Sequence, residues 1–147
     1  MHDLYEHRNV RQTIILLCFL GVGIASYLAY AYITHTPVRC TAGIFGGCGE
    51  VQESEYASFL GIPIPVFGLM FYVFLFADAL FLLGLHRTWY AWRSFVWFVT
   101  LTGFLFSLYL AFLEAFVIEA WCVWCVGSGL VSTAIFVVAS RAFFRRR

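Results

Sequence analysis

Cys122-Val123-Trp124-Cys125 sets two thiols three residues apart where an apolar segment begins. At that spacing both side chains share one face of a helical turn. Near a helix N-terminus, unpaired N–H groups and the helix dipole favour a thiolate. The chemistry this predicts is thiol–disulfide exchange, coupled to a lipid-soluble electron acceptor. A second pair, Cys40 and Cys48, flanks the run TAGIFGG. Its glycines predict a flexible loop, able to close a disulfide or to swing toward a partner. Two blander readings stay open. The four thiols can be static crosslinks, or they can ligate zinc, although C-x7-C lacks the usual short ligand spacing. Cys18, the fifth cysteine, reads as a small packing residue.

The elements that must position these thiols are membrane helices. Of 147 residues, 63% are hydrophobic and only 12% charged, more apolar surface than a soluble core of this size can use. Thr13 to Tyr32 is apolar for about 30 Å of helix, roughly one hydrocarbon thickness. Gly21, Gly23, Ala25, Ser26 and Ala29 give that span small residues for close helix packing. Further spans are expected at about 65–85, 94–118 and 122–142. The fold class is therefore all-α: a polytopic four-helix transmembrane bundle, residues 1–147 forming one domain. Residues 1–12 form a polar head, and the first span reads as an anchor rather than a cleaved signal.

Between spans one and two lies a loop over residues 33–64. Within it Val51 to Leu60 predicts a short amphipathic helix, with Val51, Tyr56, Phe59 and Leu60 toward the membrane and Glu50, Glu53 and Glu55 toward water. The prolines of GIPIP stop it, and Pro65 suits the first turn of the next helix.

All nine basic residues are Arg. Arg8, Arg11, Arg87, Arg93, Arg141, Arg145, Arg146 and Arg147 fall on one side of the membrane and Arg39 on the other. The positive-inside rule makes the first side, with both termini, cytoplasmic. Trp89, Tyr90 and Trp92 fit an interfacial belt there, and Trp121 and Trp124 the opposite belt. Span parity puts loop 33–64 and the start of span four on the external, periplasmic face, so both cysteine pairs meet one oxidising compartment. Two acids lie inside spans and are functional suspects. Asp78 reads as an interhelical hydrogen-bond partner. Glu114, near the level of the dithiol, reads either as a proton donor or as a side chain snorkelling to the surface.

The order of motifs carries a resemblance. C-x7-C is followed by Ser54, six residues after its second cysteine, then YASFLGIPIPVFG, then an apolar span, and finally C-x-x-C opening the last helix. This resembles the vitamin K epoxide reductase family, in particular its bacterial and archaeal single-domain members. The resemblance implies a four-helix bundle around a quinone of the ubiquinone, menaquinone or vitamin K type. Cys40 and Cys48 match the shuttle cysteines, and Cys122 and Cys125 the active pair. Cys122 would exchange with the loop through Cys48, and Cys125 would act on the quinone ring. Ser54 matches a serine or threonine that orders the site. Phe67, Phe71 and Tyr72, with Leu110 and Ile118, match quinone-pocket positions. Ile64 and Gly129 stand where vertebrate members carry a polar Asn and Tyr, which favours quinone reduction over epoxide reduction.

The function this implies is a membrane thiol oxidoreductase. Electrons would pass from a separate external thioredoxin-fold (DsbA-like) protein to Cys40/Cys48, then to Cys122/Cys125, then to the quinone, supporting disulfide formation. Alternatives are a reductase acting for the quinone or epoxide product, and a non-catalytic membrane protein stapled by disulfides. Beyond quinone, membrane lipid and that protein, no metal and no nucleic-acid partner are expected.

Overall fold

The computed structural model describes residues 2–40, 43–82 and 90–145. Arg87, Trp89, Arg146 and Arg147, all invoked above, lie outside the described residues, as do the end of the expected second span (residues 83–85) and Thr41 and Ala42 of the cysteine loop. The element order is α1 (His2–Ile33), α2 (Cys48–Glu53), a 3-10 turn (Glu55–Ala57), β1 (Ser58–Phe59), β2 (Ile62–Pro63) and α3 (Ile64–Ala77), which runs on as a wider π-helical turn (Asp78–Leu82). Helices α4 (Tyr90–Phe116) and α5 (Val123–Phe144) complete it. Among the described residues four helices are long and apolar enough to cross a bilayer. The protein is a multi-pass membrane protein, a helical bundle.

Helix α1 packs against α3 and α5, and α4 packs against α5. The α1–α3 seam is made by small residues one turn apart. A methyl on Gly21 would sit 2.5 Å from the Tyr72 ring, and Ala25 and Ala29 are buried along the same face. Gly23 and Ser26 point away and are exposed, so three of the five small residues, Gly21, Ala25 and Ala29, serve packing. Cys18 is fully buried in this core. Large apolar side chains such as Phe19, Phe81 and Phe112 are exposed on the outside of the bundle, where lipid is the solvent.

Helix α1 begins in the polar head, at His2 rather than Thr13, because no proline or glycine interrupts the chain before Gly21. It ends at Ile33, where His35 turns left-handed (φ 51°) and the Thr36 N–H closes on the Ala31 carbonyl, a Schellman-type stop with Pro37 beyond. Pro65 stands in the first turn of α3. Helix α4 starts at Tyr90 and ends at Phe116, where the Val117 and Ile118 N–H groups both close on the Leu113 carbonyl and Glu119 turns left-handed.

The short helix of the loop spans Cys48–Glu53, not Val51–Leu60. Ser54 is extended (φ −66°, ψ 151°), and its hydroxyl donates to the Val51 carbonyl at 2.8 Å. That bond competes with continued helix. The rest of the expected helix is the 3-10 turn and a two-residue-loop hairpin, Ser58 opposite Pro63 and Phe59 opposite Ile62. Both loop residues have positive φ, Leu60 at 52° and Gly61 at 79°, as a type I′ hairpin needs. Glu50, Glu53 and Glu55 are exposed.

Candidate active site

The tight turn 117–122 folds α5 back against α4 and delivers Cys122 to the loop. Cys122 is the residue immediately before α5, still extended (φ −101°, ψ 118°). It forms an antiparallel bridge with Gly46, and the Gly47 N–H donates to the Trp121 carbonyl at 3.1 Å. Gly47 has to be glycine: a methyl there would lie 2.7 Å from that of Ala120. The glycines thus do more than loosen the loop, since Gly46 and Gly47 dock it edge-on against the start of α5. The other stem is held at Arg39. Its N–H donates to the Tyr27 hydroxyl at 3.0 Å, and its carbonyl accepts the Trp124 indole N–H at 2.9 Å. The Tyr27 and Trp124 rings lie 5.0 Å apart. Trp124, expected in an interfacial belt, ties the C-x-x-C turn to the residue preceding Cys40.

These contacts gather the thiols. Cys40 and Cys48 form a disulfide, and the Cys122 sulfur lies within 4.8 Å of both its sulfurs. Cys122 and Cys125 are free thiols. Cys48 and Cys122 are buried, whereas Cys40 is partly exposed. The Cys125 thiol beside it holds the Cys122 sulfur below its ordinary thiol range. The Trp124 and Cys125 amides act the same way, against burial and the nearby Glu114 charge.

Glu114, in the last turns of α4, does not snorkel. It is buried, and its Oε2 accepts the Cys122 N–H at 3.2 Å. Its carboxyl also lies close enough to the Cys125 side chain for the two to influence each other's charge. The short turn from Glu119 to Trp121 is the sequence signal for this, because it brings residues eight apart face to face.

Below the thiols lies a cavity of about 680 Å³, inside the range of about 300–1,000 Å³ typical of small-molecule sites. Cys48, Ser54, Phe67, Phe71, Tyr72, Leu110, Ile118, Cys122 and Cys125 all line it. Of the site residues the family resemblance implies, only Cys40 lies elsewhere, on a more polar hollow with Glu50 and Glu119 at the loop surface. Tyr72 presents its ring alone, for its hydroxyl is engaged with the Ser128 carbonyl and hydroxyl at 2.8 and 2.9 Å. Gly103 leaves room for the Phe71 ring, which a methyl there would strike. Ile64 and Gly129 also line the cavity and add no polar group. Ser132, which sequence reasoning passed over, is buried on the same wall with an unpartnered hydroxyl. Asp78 is remote from the thiols and accepts the Trp92 indole N–H at 2.8 Å, linking α3 to α4.

The arrangement of loop disulfide, C-x-x-C pair and apolar cavity coincides with a match over nearly the whole chain. The model of the vitamin K epoxide reductase family matches residues 12–140. The chain belongs to that family. A curated relative is the thiol-disulfide oxidoreductase LTO1 of Arabidopsis thaliana, 40% identical over 47 residues. That alignment takes in 32% of this chain and 12% of the relative. The chain therefore spans only a small part of that relative's length.

Proposed function

We propose that this vitamin K epoxide reductase family member is a membrane thiol–quinone oxidoreductase that oxidises an external thioredoxin-fold protein. The observation that carries this is the position of Cys122 between two reaction partners. Its sulfur stands within 4.8 Å of the Cys40–Cys48 disulfide, and its C-x-x-C partner Cys125 opens on the apolar cavity.

The partly exposed Cys40 suits first contact with the partner's dithiol. Disulfide exchange reduces the Cys40–Cys48 bond as the partner's disulfide forms. The buried Cys48 then attacks Cys122 of an oxidised Cys122–Cys125 pair. The loop disulfide re-forms and the C-x-x-C pair becomes a dithiol. Oxidation of that dithiol returns two electrons and two protons to a quinone, giving quinol. The net reaction is partner dithiol plus quinone to partner disulfide plus quinol. Direction follows from reduction potentials, about 30 mV being worth about 1.4 kcal/mol for two electrons.

The cavity fits a flat, apolar ring with a few polar edges. Its walls are aromatic and aliphatic, and its polar features include the Cys125–Glu114 end and the orphaned Ser132 hydroxyl. When bound, a quinone supplies the two-electron acceptor. Phe67, Phe71, Tyr72, Leu110 and Ile118 would hold its ring, and Ser54 would order the loop above it. The apolar Ile64 and Gly129 favour quinone over epoxide as the acceptor.

The test uses purified protein in lipid, a quinone and a reduced thioredoxin-fold protein. Quinol formation should match partner-thiol loss one to one per pair, and Cys125→Ser should lower the rate at least about a hundredfold. Unchanged turnover in Cys125→Ser would overturn the reading. If the cysteines are static staples, substitution lowers stability without any redox activity to lose.

A further inference from the structure

Glu114 is the group at the site that the scheme above leaves unused. It is 4% exposed, and it is the only charged side chain among the described residues lining the cavity. A carboxyl in a span is costly unless bonded, and marks function. It faces both members of the dithiol: Oε2 accepts the Cys122 N–H, and Cys125 stands beside it on the same cavity wall. The other titratable side chains on the described walls are Tyr32, Tyr56 and Tyr72 with Cys48, Cys122 and Cys125. Cys48 is held in its disulfide, and the Tyr72 hydroxyl is engaged with Ser128. Beside the Cys125 thiol the described acceptors are the Cys122 sulfur and Glu114, and only Glu114 is not itself consumed when the pair forms its S–S bond.

We infer that Glu114 is the proton carrier of the site, taking the proton of the Cys125 thiol and delivering it to the quinone as the pair is oxidised. Oxidation of the pair breaks two S–H bonds and forms one S–S bond. Two electrons and two protons leave the sulfurs. The electrons go to the quinone. Glu114 accepts the protons one at a time and hands each to a quinone oxygen, which completes the hydroquinone and restores the carboxylate. The idea rests on the proposed quinone chemistry, and Glu114 is a catalytic residue in this sense because it touches a reacting thiol.

A purely positional role would need only the acceptor for the Cys122 N–H, and an amide oxygen supplies that. Glu114→Gln therefore separates the two roles. Full-length protein carrying Cys122→Ser, in lipid nanodiscs, leaves Glu114 as the base facing Cys125. Trapping of Cys125 by N-ethylmaleimide is followed by peptide mass spectrometry. With Glu114 present part of the thiolate forms by a proton shift within the pair, so the trapping rate should depend less steeply on pH than it does without the carboxyl. With Glu114→Gln added the proton must leave to solvent, and the rate should climb about tenfold per pH unit. Glu114→Asp should flatten the profile again. Equal slopes in all three proteins would overturn the inference. If the Gln protein fails to fold, infrared difference spectra of the wild type decide: a carboxyl C=O band must change when the dithiol is oxidised by a soluble oxidant, and no change overturns it. Neither readout uses a quinone, so each is independent of whether quinone is the acceptor.

Discussion

Cys122 and Cys125 are three residues apart, yet the chain gives them different surroundings. Cys122 stands just ahead of α5, bridged to Gly46. Cys125 sits inside the first turn and faces Glu114. The Cys122 sulfur is held below its ordinary range chiefly by the Cys125 thiol. A lowered pKa keeps the thiolate populated as pH falls below the usual thiol range. It is lost only when pH drops through the lower folded value. Cys122 should therefore be alkylated with a midpoint below that of free cysteine. Cys125→Ala, which removes that hydrogen bond, should move the midpoint upward. Peptide-resolved alkylation against pH checks both. Of these residues the sequence made the thiols, their grouping and the suspicion of Glu114 legible. It left open the fate of the Glu114 side chain, because burial against Cys122 depends on the left-handed Glu119 in the turn.

At the scale of elements, close approach decides. Gly21→Ala would push a methyl into the Tyr72 ring, and overpacking of this kind costs about 1–3 kcal/mol. Thermal unfolding in detergent should show that loss, with a smaller loss for Gly23→Ala, whose site is open. Trp124→Phe keeps an aromatic ring near Tyr27 but removes the N–H bonded to Arg39. It should slow exchange between the loop and the C-x-x-C pair severalfold while leaving occupancy of the cavity unchanged. Rapid-quench thiol trapping and a quinone-binding isotherm measure the two. Apolar run length made the spans readable from sequence. The segment 48–63 was harder. Val51 to Leu60 has a helical pattern, but Ser54 bonds its own backbone and Leu60-Gly61 makes a hairpin turn, local choices that periodicity does not encode.

Over the whole molecule, the four spans carry an aromatic, lipid-facing exterior and a cavity closed at one end by both cysteine pairs. The Arg asymmetry predicts that this end faces outside. Cys40, freed by mild reduction in intact cells, should then react with a membrane-impermeant maleimide, and a cysteine placed at Arg145 should not. The reverse pattern would invert the topology. Chain order and even span number made the meeting of the two pairs readable in advance. Helix-to-helix distances that shape the cavity, such as Gly103 against Phe71, arise only from packing and left no trace in spacing.

The most direct measurement is an anaerobic single turnover with the enzyme fully reduced. Quinone is mixed in, and the redox state of each cysteine pair is trapped with time. The account predicts that Cys122–Cys125 oxidises first, with stoichiometric quinol, and that Cys40–Cys48 follows. In Cys122→Ser the loop pair should stay reduced. Oxidation of the loop pair before the C-x-x-C pair, or at an unchanged rate in Cys122→Ser, would contradict it.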